Sequence, residues 1–119
     1  MQSSLQVYPM SKRIQLSTQR EVINPVSGAR VKVSSNEYTL LRGITREGLQ
    51  KEALIRLVWG GRWTLVSDSS YYNLLYRLRR NLAAIGIDNA VVTMPTYGVV
   101  LDCEVELVLS QPLPFSSQG

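Results

Sequence analysis

The sequence predicts an α+β domain built from an N-terminal antiparallel sheet, three helices and a C-terminal β-hairpin. Three observations predict it. Short β-prone runs separated by turn residues fill the region before Ser34. An apolar spacing of 3.6 residues then persists for about four turns between Tyr71 and Ile85. Apolar and polar residues alternate strictly toward the C-terminal end. With 119 residues, 45% of them hydrophobic, the chain is large enough to bury one core.

The sheet is expected first. Ile14 to Leu16, Glu21 to Ile23 and Arg30 to Val33 are β-prone, and Asn24-Pro25 and Ser27-Gly28 separate them as turns of a meander. Residues 1–12 and 110–119, rich in Ser, Gln and Pro, read as loose tails around a domain spanning 13–109. At Ser34-Ser35-Asn36-Glu37 a hydroxyl precedes a carboxylate by three positions, so each can bond the other's backbone N–H at a helix start. Tyr38, Leu40, Leu41 and Ile44 supply the apolar side of this first helix. The stretch from Thr45 to Gly48 ends it, with Gly48 free to take positive φ.

A second helix is expected from about Lys51 to Val58, with Leu54, Leu57 and Val58 inward and Gly60-Gly61 as its stop. Residues 60–66 then read as a loop carrying Arg62 and Trp63. In the third helix, opened by a Ser67 or Asp68 cap, Tyr71, Leu74, Leu75, Leu78, Leu82 and Ile85 form one apolar stripe. Beyond Gly86, Ala90 to Met94 and Gly98 to Leu109 read as two antiparallel strands around Pro95-Thr96-Tyr97-Gly98. Cys103, Val105, Leu107 and Leu109 form one side of the second strand. Asp102, Glu104, Glu106 and Val108 form the other, which is expected to face solvent.

Composition narrows the chemistry. Thirteen basic and nine acidic residues leave a formal charge of +4, which favours a polyanionic partner. There is no histidine, so the usual general base and the commonest metal ligand are missing. The single cysteine, Cys103, lies between Asp102 and Glu104, whose charges should raise its pKa and dull it as a nucleophile. One cysteine permits no internal disulfide and suits a reduced, cytoplasmic setting. No Gly-rich phosphate loop is present. The expectation is a binding protein, not an enzyme, with no cofactor and no small-molecule substrate.

At about 100° per residue, the face of the third helix opposite its apolar stripe gathers Ser69, Asn73, Tyr76, Arg77 and Arg80. Tyr72 and Arg79 flank it, and it carries no acid. An arginine can pair with phosphate or take guanine bidentately, and an asparagine can do the same with adenine. Ser69 and Ser70 can bond phosphate near the helix N-terminus. With a sheet before it and a hairpin after it, such a helix describes a winged helix-turn-helix. The competing reading of Arg77, Arg79 and Arg80 is the solvated side of a core helix.

Four segments carry a resemblance: Ser34 to Leu41, Lys51 to Gly60, Val66 to Ser70 and Arg77 to Leu82. In order and spacing they resemble the OmpR/PhoB-type DNA-binding domain of bacterial transcription regulators. The stretch from Val92 to Val99 is most similar to the wing of the CadC/ToxR-like branch, whose members join this domain to a membrane-spanning segment. The resemblance implies a DNA-binding regulator, either cytoplasmic or the cytoplasmic part of a single-pass inner-membrane protein. It implies double-stranded DNA as partner, contacted through the major groove by Ser69, Ser70, Asn73, Tyr76, Arg77 and Arg80. It also implies wing contacts from Thr96 and Tyr97, RNA polymerase contacts from Arg62 and Trp63, and self-association on repeated half-sites. The alternative is a winged-helix module with little DNA affinity that docks a partner regulator or polymerase, a reading favoured by its uncharged wing.

Overall fold

Alternation in the N-terminal runs buries Ile14, Leu16 and Val22 while Gln15, Glu21 and Ile23 are only partly buried. The computed structural model describes residues 12–45 and 47–109. The expected tails lie outside these residues apart from Lys12, whose carbonyl accepts a 2.9 Å hydrogen bond from the Glu104 N–H. Strands β1 (Arg13–Ser17), β2 (Glu21–Ile23) and β3 (Arg30–Lys32) form the expected antiparallel meander.

Helix α1 (Ser35–Gly43) starts where the Ser34 hydroxyl accepts a 3.2 Å hydrogen bond from the Glu37 N–H. The reciprocal half of the expected cap differs. The Glu37 carboxylate accepts from the Ser34 hydroxyl at 2.9 Å, and its other oxygen accepts from Asn81. Glu37 is thereby buried between helices. A short strand, β4 (Leu49–Gln50), leads into α2 (Lys51–Trp59), where Gln50 occupies the cap without a side-chain bond.

The inward face of α2 is turned from the expected one. Leu54 and Ile55 are buried, Val58 is partly so, and Leu57 is 37% exposed. Leu57 instead covers Gly43, where an added Cβ would lie 2.6 Å from its Cδ2. The expected loop after α2 is a 3₁₀ helix, Gly60–Leu65. Then α3 (Asp68–Ala84) runs for 17 residues, capped by Ser67, and the strands β5 (Val91–Met94) and β6 (Gly98–Leu101) form the hairpin.

The final strand corrects the sequence reading. The run from Gly98 to Leu109 is not continuous: it breaks at Asp102 and Cys103, and β7 (Glu104–Val108) crosses to lie parallel beside β1. One sheet is therefore mixed, in the order β3-β2-β1-β7, and the other has the order β4-β6-β5. The move gives β1 a second neighbour and satisfies backbone groups that an edge would leave open. Its cost falls on the apolar alternation. Cys103 and Val105 pack on the core, but Leu107 (56%) and Leu109 (74%) are exposed at the open flank of the sheet.

The core joins both sheets to all three helices, with Leu40, Leu41, Leu54, Leu75, Leu78 and Val99 nearly inaccessible. No helix among the described residues is long and apolar enough to cross a membrane.

Candidate nucleic-acid interface

Helix α3 owes its position to its apolar stripe. Tyr71, Leu74, Leu75, Leu78, Leu82 and the following Ile85 are all buried, as the 3.6-residue spacing predicts. The Ser67 hydroxyl accepts from the Ser70 N–H at 3.1 Å, so the helix begins with one orphan donor satisfied. Asn24 reaches the other end, donating from its Nδ2 to the Ile85 carbonyl at 2.8 Å.

With that stripe inward, Ser69, Ser70, Asn73, Tyr76, Arg77 and Arg80 are all exposed. The structure brings these six predicted residues together along one helix. The Arg80 guanidinium lies 5.8 Å from the Tyr76 ring centroid, while Arg77 has no hydrogen bond or ion pair among the described residues. Asp68, the one acid near this surface on α3, is paired with Lys51 at 2.9 Å. That pairing holds the Lys51 pKa above its ordinary value. The Lys51 ammonium also lies over the Tyr71 and Tyr72 rings.

The face divides into two flanks. Ser70, Asn73 and Arg77 border a polar recess shared with Ser34, Asn36 and the buried Glu37 at the start of α1. Tyr72 borders an opposite groove toward the hairpin, lined also by Lys51, Met94, Thr96 and Tyr97. The hairpin therefore stands beside the helix and not behind it.

Thr96 and Tyr97 lie in the tight turn of this wing, closed by a 3.0 Å bond from the Tyr97 N–H to the Met94 carbonyl. Thr96 has φ +65°, a conformation that disfavours β-branched side chains. The Tyr97 hydroxyl turns back and donates to the Glu47 carbonyl at 3.2 Å, tying the turn to the α1–α2 connection. Gly98 and Gly48 make that contact possible. An added Cβ would lie 2.1 Å from the Leu49 carbonyl oxygen at Gly98 and 2.4 Å from that of Val99 at Gly48.

Arg62 and Trp63 lie in the 3₁₀ helix, outside both flanks described above. Trp63 packs partly on the core beneath the Arg56 guanidinium, 4.1 Å from its centroid, whereas Arg62 is exposed and the neighbouring Leu65 is 81% exposed. Cys103 has its thiol pushed up to about 11. Sequence reasoning assigned this direction to the flanking carboxylates, but burial is the larger cause and Asp102 the next.

Three site features escaped the sequence reading: the Lys51–Asp68 pair, the Asn81–Glu37 bond and the engagement of Arg79 with β5. Only Asn81 left a signal, as a poor helix former inside a long helix. Among the described residues no group of three His, Cys, Asp or Glu side chains could hold a metal ion.

No protein-family model matches the sequence, and no curated protein matches it. Solved structures do match. One is the DNA-binding domain of the response regulator AdeR in complex with an intercistronic region, with TM-score 0.64 and 16% identity, covering 77% of this chain and 96% of that one. Another is the C-terminal domain of the nisin resistance regulator NsrR, a lantibiotic response regulator. It has TM-score 0.61 and 17% identity, and covers 83% of this chain and 94% of that one. At these identities the likeness establishes the fold: the chain is a winged helix-turn-helix, with α3 in the place of the third helix and the β5–β6 hairpin as its wing.

Proposed function

We propose that this chain is a DNA-binding transcriptional regulator of the OmpR/PhoB type that inserts α3 into the major groove of promoter DNA. One observation carries the reading: an exposed helix face bearing Ser69, Asn73, Tyr76, Arg77 and Arg80, with the acid of the same helix, Asp68, paired with Lys51, on a winged-helix frame. Arginine and asparagine here have the donors that base edges and phosphates accept. That AdeR was solved with DNA supports the partner class. In this reading Ser69 and Ser70 meet phosphate at the helix start, Asn73, Arg77 and Arg80 reach bases or backbone, and Thr96 and Tyr97 approach the adjacent minor groove. Copies bind side by side on repeated half-sites. The role is binding and not catalysis, in the cytoplasm or on the cytoplasmic side of a membrane-anchored parent of the CadC/ToxR-like branch.

The test is fluorescence anisotropy of promoter duplexes and a scrambled control across a salt series, with Arg77→Ala/Arg80→Ala alongside. A regulator binds with steep salt dependence, distinguishes the duplexes and loses affinity in the folded double variant. Absence of binding at low salt by the folded protein overturns the reading.

One observation favours a second reading, a module that docks a protein. The wing turn Pro95-Thr96-Tyr97-Gly98 bears no charge, and the Tyr97 hydroxyl is already engaged by Glu47. Arg62, Trp63 and the exposed Leu65 offer a mixed surface for RNA polymerase or a partner regulator. Retention of polymerase by the parent protein but not by Arg62→Ala/Leu65→Ser would establish that contact.

A further inference from the structure

Arg79 stands apart from the other arginines of α3. Its Nε–H donates to the Val91 carbonyl at 3.2 Å, and a second guanidinium nitrogen donates to the Thr93 hydroxyl. Both acceptors belong to β5, two residues apart and therefore on neighbouring pleats of one strand. A guanidinium is a rigid fork, suited to spanning two such acceptors.

Strand β5 is the outer member of its sheet, in the order β4-β6-β5. An edge strand exposes backbone groups that no neighbouring strand satisfies. At Val91 the guanidinium takes the place of that neighbour. Among the described residues Arg77 has no such partner, and Arg80 meets only the Tyr76 ring. Arg79 is thus the basic residue of α3 committed to the wing.

We infer that Arg79 is a positioning residue, a strut that sets the wing at a fixed distance from α3 and acts on DNA through the wing. The inference rests on the proposed function. A duplex presents its major groove and the next minor groove at a fixed separation, so a protein that already holds its two reading elements at that separation loses less freedom on binding. Arg79 therefore contributes preorganisation in place of a phosphate contact.

The test compares Arg79→Met, Arg79→Lys and Thr93→Val with the parent protein on a duplex long enough for helix and wing. It repeats the series on a shortened duplex that ends before the wing. Arg79→Met is expected to weaken binding to the long duplex about tenfold, the scale of having to order on docking a wing that the strut no longer holds. Arg79→Lys does not rescue it, because an ammonium has the charge without the fork. Thr93→Val weakens binding in the same direction, and its loss is not additive with that of Arg79→Met.

The slope of affinity against salt stays at the parent value in Arg79→Met, whereas losing a phosphate contact lowers it by about one. On the shortened duplex Arg79→Met binds as the parent does. In the free protein, amide hydrogen exchange in β5 quickens on Arg79→Met. Full rescue by lysine, a lowered salt slope, or unchanged exchange in β5 overturns the strut while leaving the DNA reading intact. No duplex binding by the parent overturns the DNA reading, and the strut's role on DNA with it.

Discussion

The Glu37 carboxylate accepts a 2.6 Å hydrogen bond from Asn81 Nδ2, joining α1 to α3 across 44 residues of chain. Glu37 is 2% exposed, and its other oxygen is taken by the Ser34 hydroxyl. Removing the amide leaves a buried carboxylate oxygen short of a donor. Asn81→Ala is therefore expected to cost about 1.5–3 kcal/mol, the scale of a hydrogen bond to a charged group. Asn81→Asp should cost more, since it places a second carboxylate beside the first. Urea unfolding reads both, and an unchanged midpoint for Asn81→Ala would show the bond to be inconsequential.

Leu78 lies in the middle of the buried stripe of α3 with 1% of its surface exposed. Leu78→Ala should destabilise the fold by about 2–5 kcal/mol through lost burial and the cavity left behind. The same substitution at Leu107, on the open flank of β7, should shift the urea midpoint far less.

The wing turn stores strain at one position. Thr96 holds φ +65° with Pro95 before it, the position a type II turn reserves for glycine. Left-handed backbone costs an L-residue roughly 1–2 kcal/mol, and glycine returns part of that through its own unfolded-state entropy. Thr96→Gly should therefore stabilise the protein by about 0.5–1 kcal/mol. Gly98→Ala should do the opposite and loosen the wing from β4, because its Cβ would meet the Leu49 carbonyl. Thermal unfolding of the two variants should move in opposite directions.

Alkaline pH offers a fourth check. The Cys103 thiol is pushed from its ordinary 9.0 up to about 11, chiefly by burial. Between these values the unfolded chain has released the thiol proton and the folded protein still holds it, so proton release favours unfolding. The stabilisation is complete below pH 9.0 and is lost as pH rises toward about 11. Tyr71, raised mainly by burial, adds to the effect at higher pH. Cys103→Ala should flatten the decline in stability over that window, and parallel pH profiles for variant and parent would count against this account.

Helix α3 was legible because its spacing names the buried positions directly, from Tyr71 to Ile85, and burial of one stripe exposes the opposite face. The gathering of Asn73, Arg77 and Arg80 followed from the same period. Partners were another matter. Alternation from Cys103 to Leu109 states which residues share a face, yet it is silent on which strand lies alongside. The pairing of Ile14 with Val105 is a long-range choice made by the open edge of β1. In α2 the close approach at Gly43 drew Leu57 toward α1 and left Ile55 to the core. Arg79 looked like one more basic flank residue because its destination depends on where the hairpin stands.

The parallel pairing of β1 with β7 gives the domain a mechanical character. Arg13 lies opposite Glu104 and Ser17 opposite Val108, so the chain enters at one end of the pair and leaves at the other. Tension applied through the flanking chain pulls the two strands lengthwise past each other. The evenly spaced bonds of a parallel ladder then bear the load together and do not open one at a time. A tug from either side would meet the sheet in shear, leaving the helix and wing shielded behind it.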